Sequence, residues 1–183
     1  MPIYIIEHLD RTVYQWSFFE YRHISKLVGK KNLWITHTKS SRLKEFAKII
    51  PQSVLDLDLK NACILDPLAE ETLTPEDNFE YYIFGGILGD DPPTEKTKKF
   101  LSSKSSLPTR NLEPEQMATD NAVYMTKLIA DGTPIESIPV VTDVELDLRE
   151  GESVILPYKY VLVNGKPLIC KAIMEKLKKG ESF

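Results

Sequence analysis

The sequence predicts an α/β protein built on a largely parallel sheet with helices on both faces. Three observations carry that expectation. Short apolar runs alternate with segments whose apolar residues recur at helical spacing, giving the order β-α-β-α-β-β-α-β-α. Most of the runs are continuous rather than alternating, as in strands covered on both sides. The run Phe79-Glu-Tyr-Tyr-Ile-Phe84 then passes directly into Gly85-Gly-Ile-Leu-Gly-Asp-Asp-Pro-Pro93, a glycine-lined, acidic loop. Glycine lets backbone turn sharply or approach a ligand closely, and the prolines stop strand or helix from continuing. Such a loop after a buried strand is the usual ligand-contacting edge of an α/β sheet.

Each element has its own signal. Residues 2–6 form a short apolar run, read as a central strand, with Glu7 and His8 at its end. Tyr14, Phe18, Tyr21, Ile24, Leu27 and Val28 repeat at helical spacing, and Gly29 stops that helix. Residues 33–36 are a second strand. Residues 41–50 read as an amphipathic helix ended by Pro51. A third strand over 62–65 leads into Asp66-Pro67 and a polar loop over 68–78. The fourth strand and its glycine loop follow. A short helix over 94–101 can be capped by Thr94, and residues 102–106 are a loop.

Residues 108–112 read as a fifth strand. The next helix is predicted over 113–131, with Pro114 in its first turn and Gly132 past its end. Its Met117, Met125, Leu128 and Ile129 fall on one stripe. From Ile138 the pattern turns to β, through Val140-Val141, residues 144–148 and a hairpin at Asn164-Gly165. A closing helix is expected over 168–178.

The 183 residues suffice for one sizeable core and are read as a single domain, 1–183. A net charge of −4 argues against a broad nucleic-acid-binding face. The local basic cluster is Lys159, Lys166, Lys171 and the closing helix. Cys63 and Cys170 do not make a disulfide framework and are expected to be buried thiols. The apolar N-terminus is too short for a signal peptide, and no run has the length of a membrane span. The expected location is the cytoplasm. His23 and His37 lack metal-ligand spacing, so no metal is expected.

Four candidates fall at carboxyl ends of the predicted strands: Glu7-His8, Asp66-Pro67, the glycine loop and Arg110-Asn111. Parallel sheets gather ligand groups there. Each also has a purely structural reading. The loop can be a tight turn, Glu7 a strand-end cap and His8 a satisfied core histidine. Asp66-Pro67 is a common turn dipeptide, and Arg110 can be an ion-pair residue. Thr119 and Asp120 also suit a helix N-terminus.

Ile5-Ile-Glu-His8, the glycine loop with its prolines, Gln116-Met117 with Thr119-Asp120, and residues 157–167 together resemble one family. It is the predicted S-adenosylmethionine-dependent methyltransferases of the SPOUT (α/β-knot) superfamily, which includes the fungal arginine methyltransferase of a small-subunit ribosomal protein. The likeness runs from residue 5 to about residue 167. It implies a deep C-terminal trefoil knot whose loops hold S-adenosylmethionine. Carried over residue by residue, it implies a cofactor pocket of Asp66, Pro67, Gly85, Gly86, Leu88, Gly89, Asp90, Arg110, Asn111, Leu112, Met117, Thr119 and Asp120. Leu88, Leu112 and Met117 would sandwich the base, and a carboxylate would take the ribose hydroxyls or the sulfonium charge.

Methyl transfer from a sulfonium mainly requires alignment of a nucleophilic acceptor. A guanidinium acceptor needs carboxylates that orient it and assist proton loss, because its pKa lies above about 12. Glu7 and Asp90 are the expected catalytic carboxylates, with Asp91 beside them. The acceptor expected is an arginine on a ribosomal or other basic protein. RNA methylation (ribosomal or transfer RNA) and a non-catalytic cofactor-binding scaffold are the alternatives. The resemblance allows a monomer or a homodimer through knot helices.

Overall fold

The computed structural model of the chain describes residues 1–86, 95–149 and 151–180. Its center is a set of six short strands: β1 (Ile3–His8), β2 (Leu33–Thr36), β3 (Lys48–Ile50), β4 (Ala62–Leu65), β5 (Tyr81–Gly86) and β6 (Thr109–Arg110). They pair in the order β3-β2-β1-β5-β4-β6, and every pairing is parallel. Strand alternation divides their side chains between two layers. Tyr4, Ile6, Leu33, Ile35, Cys63, Leu65, Tyr82 and Phe84 share one core cluster. Ile5, Ala62, Ile64 and Ile83 belong to the other. Full burial of each Ile, Leu or Phe side chain among them stabilises by roughly 1.5–3 kcal/mol, which explains why these runs are continuously apolar.

Helices α1 (Gln15–Val28) and α3 (Thr119–Ala130) cover the first face through Tyr21, Ile24, Val28, Val123, Met125 and Ile129. Among the described residues the second face is covered more thinly. Val54 in a 3-10 turn, Leu101 just after the short α2 (Lys96–Phe100), and Leu107 pack there. Beyond α3, β7 (Val140–Val141), β10 (Tyr160–Val163) and β11 (Lys166–Pro167) form a small antiparallel sheet. Strands β8 (Val144–Arg149) and β9 (Glu152–Leu156) form a separate hairpin, followed by α4 (Lys171–Lys179). Asn121 joins this region to α3: its Oδ1 accepts Val161 N–H at 2.9 Å, and its Nδ2 donates to the Leu168 carbonyl at 2.8 Å.

Four expectations need correction. Residues 41–50 are not a helix but a 3-10 turn (Ser41–Glu45) and edge strand β3. Ile49 and Ile50 pair with β2, and the Lys48 ammonium sits 3.7 Å from the Trp34 ring centroid. Tertiary pairing overrides the helical spacing there. Helix α3 starts at Thr119, not at 113, because Glu113 adopts φ 70° and Met117 bridges to Lys159 in β fashion. Helix α4 starts at Lys171, since Lys166-Pro167 completes β11 and Leu168 N–H bonds back to Val161 O at 2.8 Å. Strand β9 has no counterpart in the sequence reading. Thr94 lies outside the described residues, so its capping role does too.

The other elements match the sequence reading to within one or two residues at most ends. Gly29 closes α1 with φ 87°, and Asn164-Gly165 makes the β10–β11 turn with both residues at positive φ.

Candidate active site

Parallel pairing brings the strand ends to one rim. Glu7 lies beside Thr36 and Gly85, His8 beside Gly86, and Leu65 beside Arg110. Three of the four predicted candidates are thus assembled there in full, together with the first two glycines of the loop. Leu88, Gly89, Asp90 and Asp91 lie outside the described residues.

The Glu7 side chain is only 1% exposed and is saturated with donors. Ser53 Oγ donates to Oε1 at 2.6 Å and Val54 N–H to Oε2 at 2.9 Å. Thr36 Oγ1 also donates to Oε2. The His37 imidazole lies 3.7 Å from Oε1. These donors offset the cost of burying a carboxylate. They also tie β1, β2 and the 53–56 turn together at the rim.

His8 is buried as well. Its Nδ1 lies 2.8 Å from the Tyr21 hydroxyl, which donates to Gly86 O at 3.3 Å. Among the described residues its Nε2 has no hydrogen-bond partner. Burial, first of all, pushes the imidazole below its usual pKa and favors the neutral form. Gly86 is required here. A Cβ built on it would lie 2.4 Å from both Ile6 Cγ2 and the Tyr21 hydroxyl.

Asp66 is turned inward, accepting Leu68 N–H at 2.9 Å and the Ser102 hydroxyl. Arg110 grips Asp77 through Nε at 3.0 Å and Nη2 at 2.7 Å, and Glu71 through Nη1 at 2.7 Å. Its pKa rises further, chiefly through the hydrogen bonds to Asp77. Asn111 accepts from Thr72 Oγ1 at 2.9 Å and from Glu113 N–H at 3.0 Å, and donates to Ala69 O at 2.9 Å. Arg110 and Asn111 therefore brace the 66–80 loop against β6. A concavity of about 600 Å³ opens beside Arg110, lined by Asp66, Ala69, Glu71, Ser102, Thr109 and Arg110 among others, with neither Asn111 nor Leu112 in its wall. Pro67 is exposed beside Asp66. Leu112 is buried, and Met117 packs half-buried against the same core cluster. Thr119 is half-buried at the first position of α3.

Asp120 departs from this group. Its carboxylate faces α1, where Oδ2 lies 2.8 Å from His23 Nδ1, and Oδ1 accepts Asn121 N–H at 2.8 Å. Glu20 sits beside it and accepts Asp120 N–H at 3.4 Å. Burial and then the Asp120 charge push Glu20 up to about 8.

The sequence reading missed the donors around Glu7. His37 has φ 59°, uncommon for a non-glycine residue, and its Nδ1 is 3.0 Å from His8 O. The signal was present: Thr36-His37 ends a strand that neighbors β1. Lys159, a member of the basic cluster expected from the sequence, is 2% exposed and its Nζ is fully engaged by Leu112 O, Glu113 and Glu115. It is withdrawn from any basic surface.

The residues present fit a nucleoside cofactor. Among the described residues, the rim offers a buried polar atom without a hydrogen-bond partner in His8 Nε2, beside the strand-end backbone of Gly85 and Gly86. The fold is shared with Trm10 enzymes. The dual-specific Trm10 from Thermococcus kodakaraensis superposes with a TM-score of 0.55 over 74% of this chain and 96% of the crystallised one, at 16% identity. At that identity the likeness concerns the fold alone. Within it, the family described as protein arginine N-methyltransferase SFM1-like matches residues 3–182, and the chain belongs to that family. It is 34% identical to protein arginine N-methyltransferase SFM1 of Saccharomyces cerevisiae over 206 aligned residues, covering 98% of this chain and 95% of the relative. The crystal structure of yeast SFM1 complexed with S-adenosylmethionine superposes with a TM-score of 0.90 at 32% identity, covering 98% of this chain and 91% of that one. The complex with S-adenosylhomocysteine gives 0.88 at 32% identity, over 96% and 94%.

Proposed function

We propose that this protein transfers a methyl group from S-adenosylmethionine to an arginine of a protein substrate. The observation that carries this reading is family membership along residues 3–182, with relatives of known arginine methyltransferase activity and cofactor complexes matching over nearly the whole chain. When bound, the cofactor supplies a methyl group activated by its sulfonium.

This chain's own residues supply binding and alignment. Leu112 and Met117 take the base, and the backbone at Gly85, Gly86, Arg110 and Asn111 takes the polar edges of the nucleoside. Asp66 and Pro67 form the neighboring wall, and Thr119 closes the base of the pocket. Leu88, Gly89 and Asp90 complete the set on the loop. Asp90 is the proposed carboxylate for the incoming guanidinium. Glu7, enclosed by Ser53, Val54 and Thr36, acts by holding the rim in place rather than by meeting the substrate. Asp120 is assigned to the α1–α3 contact instead of the cofactor. The trefoil knot of the superfamily belongs to this reading.

A basic protein, ribosomal proteins among them, suits a chain of net charge −4. The burial of Lys159 removes one member of the cluster on which RNA binding would depend. Reduced, buried Cys63 and Cys170 accord with a cytoplasmic setting. Among the described residues no helix is long and apolar enough to cross a membrane.

The test is transfer of labeled methyl groups from S-adenosylmethionine into a cell extract, followed by parallel digestion with protease or ribonuclease. Label released by protease and recovered as methylarginine after hydrolysis is expected. Label released only by ribonuclease would overturn the substrate assignment, and binding without transfer would favor a scaffold.

A further inference from the structure

Lys159 stands just before β10, in the C-terminal small sheet, yet it reaches into the rim. Its Nζ donates to Leu112 O at 2.9 Å, Glu113 Oε2 at 3.0 Å and Glu115 Oε2 at 3.2 Å. Its backbone N–H donates to Gln116 O at 2.9 Å, and it pairs with Met117 in a parallel bridge. One residue thus holds the segment from Leu112 to Met117 along almost its whole length. All three ammonium donors are used.

The segment it grips is not self-supporting. Glu113 holds φ 70°, and residues 113–118 form neither helix nor strand apart from the bridge. The two glutamates are half solvated, at 45% and 55% exposure, whereas the lysine is 2% exposed. Taking an ammonium out of water costs several kcal/mol, and attraction to partly solvated carboxylates returns only part of that. The arrangement is therefore poorly explained as a device for global stability. It is well explained as a device that fixes the shape of one loop.

We propose that Lys159 is a positioning residue for the cofactor: from the C-terminal strands it clamps residues 112–117 in the shape that presents Leu112 and Met117 to the adenosine of S-adenosylmethionine. This rests on the reading of the rim as the cofactor site. It gives residues 157–162, which no part of the proposed chemistry uses directly, a role in the site.

Two variants and three readouts test it. Lys159→Met keeps the buried stem and removes the charge. S-adenosylhomocysteine should bind on the order of tenfold more weakly by calorimetry, and KM for S-adenosylmethionine should rise while kcat at saturation and KM for the protein substrate stay near wild type. Amide hydrogen exchange should accelerate over residues 112–117, with the melting temperature within a few degrees of wild type. The surface pair Glu113→Gln/Glu115→Gln should move affinity and exchange in the same direction, more weakly, and should add nothing on top of Lys159→Met. Affinity within twofold of wild type together with unchanged exchange at 112–117 would overturn the clamp. If Lys159→Met does not fold, the glutamine pair decides by the same criteria. Wild-type protein that binds no S-adenosylhomocysteine would instead overturn the cofactor reading, and the exchange comparison would still judge the clamp.

Discussion

Two buried glutamates, Glu7 at the end of β1 and Glu20 on α1, occupy opposite surroundings. Glu7 receives two hydroxyls and a backbone amide, with an imidazole close by. Among the described residues Glu20 accepts only from backbone at Thr119 and Asp120, the latter at 3.4 Å, and faces the carboxylate of Asp120. Burial is similar; the donors differ. At the rim the sequence supplies Ser53, Thr36 and His37 around the side chain, so its oxygens are hydrogen-bonded and the strands are joined. In the α1–α3 contact burial first, and then the charge of a second acid, Asp120, push Glu20 up to about 8. Burial raises the pKa of a carboxyl, a neighboring acid raises it further, and hydrogen-bond donors work the other way.

The largest effect should come from breaking the donor-rich side. Glu7→Ala leaves the Val54 amide and two hydroxyls facing an apolar gap, and stability measured by urea unfolding should fall by about 3 kcal/mol. A loss below about 1 kcal/mol would mean that Glu7 is not a structural tie.

The donor-poor side should show itself through pH. The folded-state pKa of Glu20 lies above its ordinary 4.5, so its stabilising contribution is full below about 4.5 and is lost progressively as pH rises to about 8. Glu20→Gln should flatten that part of the stability–pH curve and exceed wild type in thermal stability at pH 9. A variant with the same slope as wild type would show that Glu20 carries no raised pKa.

A smaller loss is expected beside Glu7. Gly86→Ala forces a methyl group to within 2.4 Å of Ile6 and the Tyr21 hydroxyl, for a loss of about 1–3 kcal/mol by denaturant unfolding. A neutral result would show that β1, β5 and α1 yield at that point. The smallest effect is assigned to a solvated pair on α3. Lys127→Ala breaks its contact with Asp131, and the change should stay below about 0.5 kcal/mol. A larger loss would mean that exposure is a poor guide to which charges matter here.

The central sheet was legible because its strands are covered on both faces, so Ile3–Ile6, Leu33–Thr36 and Ala62–Leu65 stand out as unbroken apolar runs. The rim followed from parallel order. Edge strand β3 was not legible, because Phe46, Ile49 and Ile50 fit a helical stripe until Trp34 and β2 are placed beside them. Nor was the 113–118 segment, where Glu113 leaves helical space and Met117 pairs with Lys159, 42 residues on in sequence. Lys159 read as a solvated cation since nothing local announces Glu113 and Glu115 as its partners. Asp120 suits a helix start in composition, but only the packing of α1 reveals that it faces His23 and Glu20. Side-chain partners distant in the chain are what a single sequence conceals.

The cofactor rim can be tested directly by following backbone amide resonances during titration with S-adenosylhomocysteine. The largest shifts should fall at Gly85, Gly86 and residues 110–117, with residues 171–179 of α4 little changed. Shifts gathered instead around Phe19, His23 and Cys170, or no shifts at all, would contradict the account.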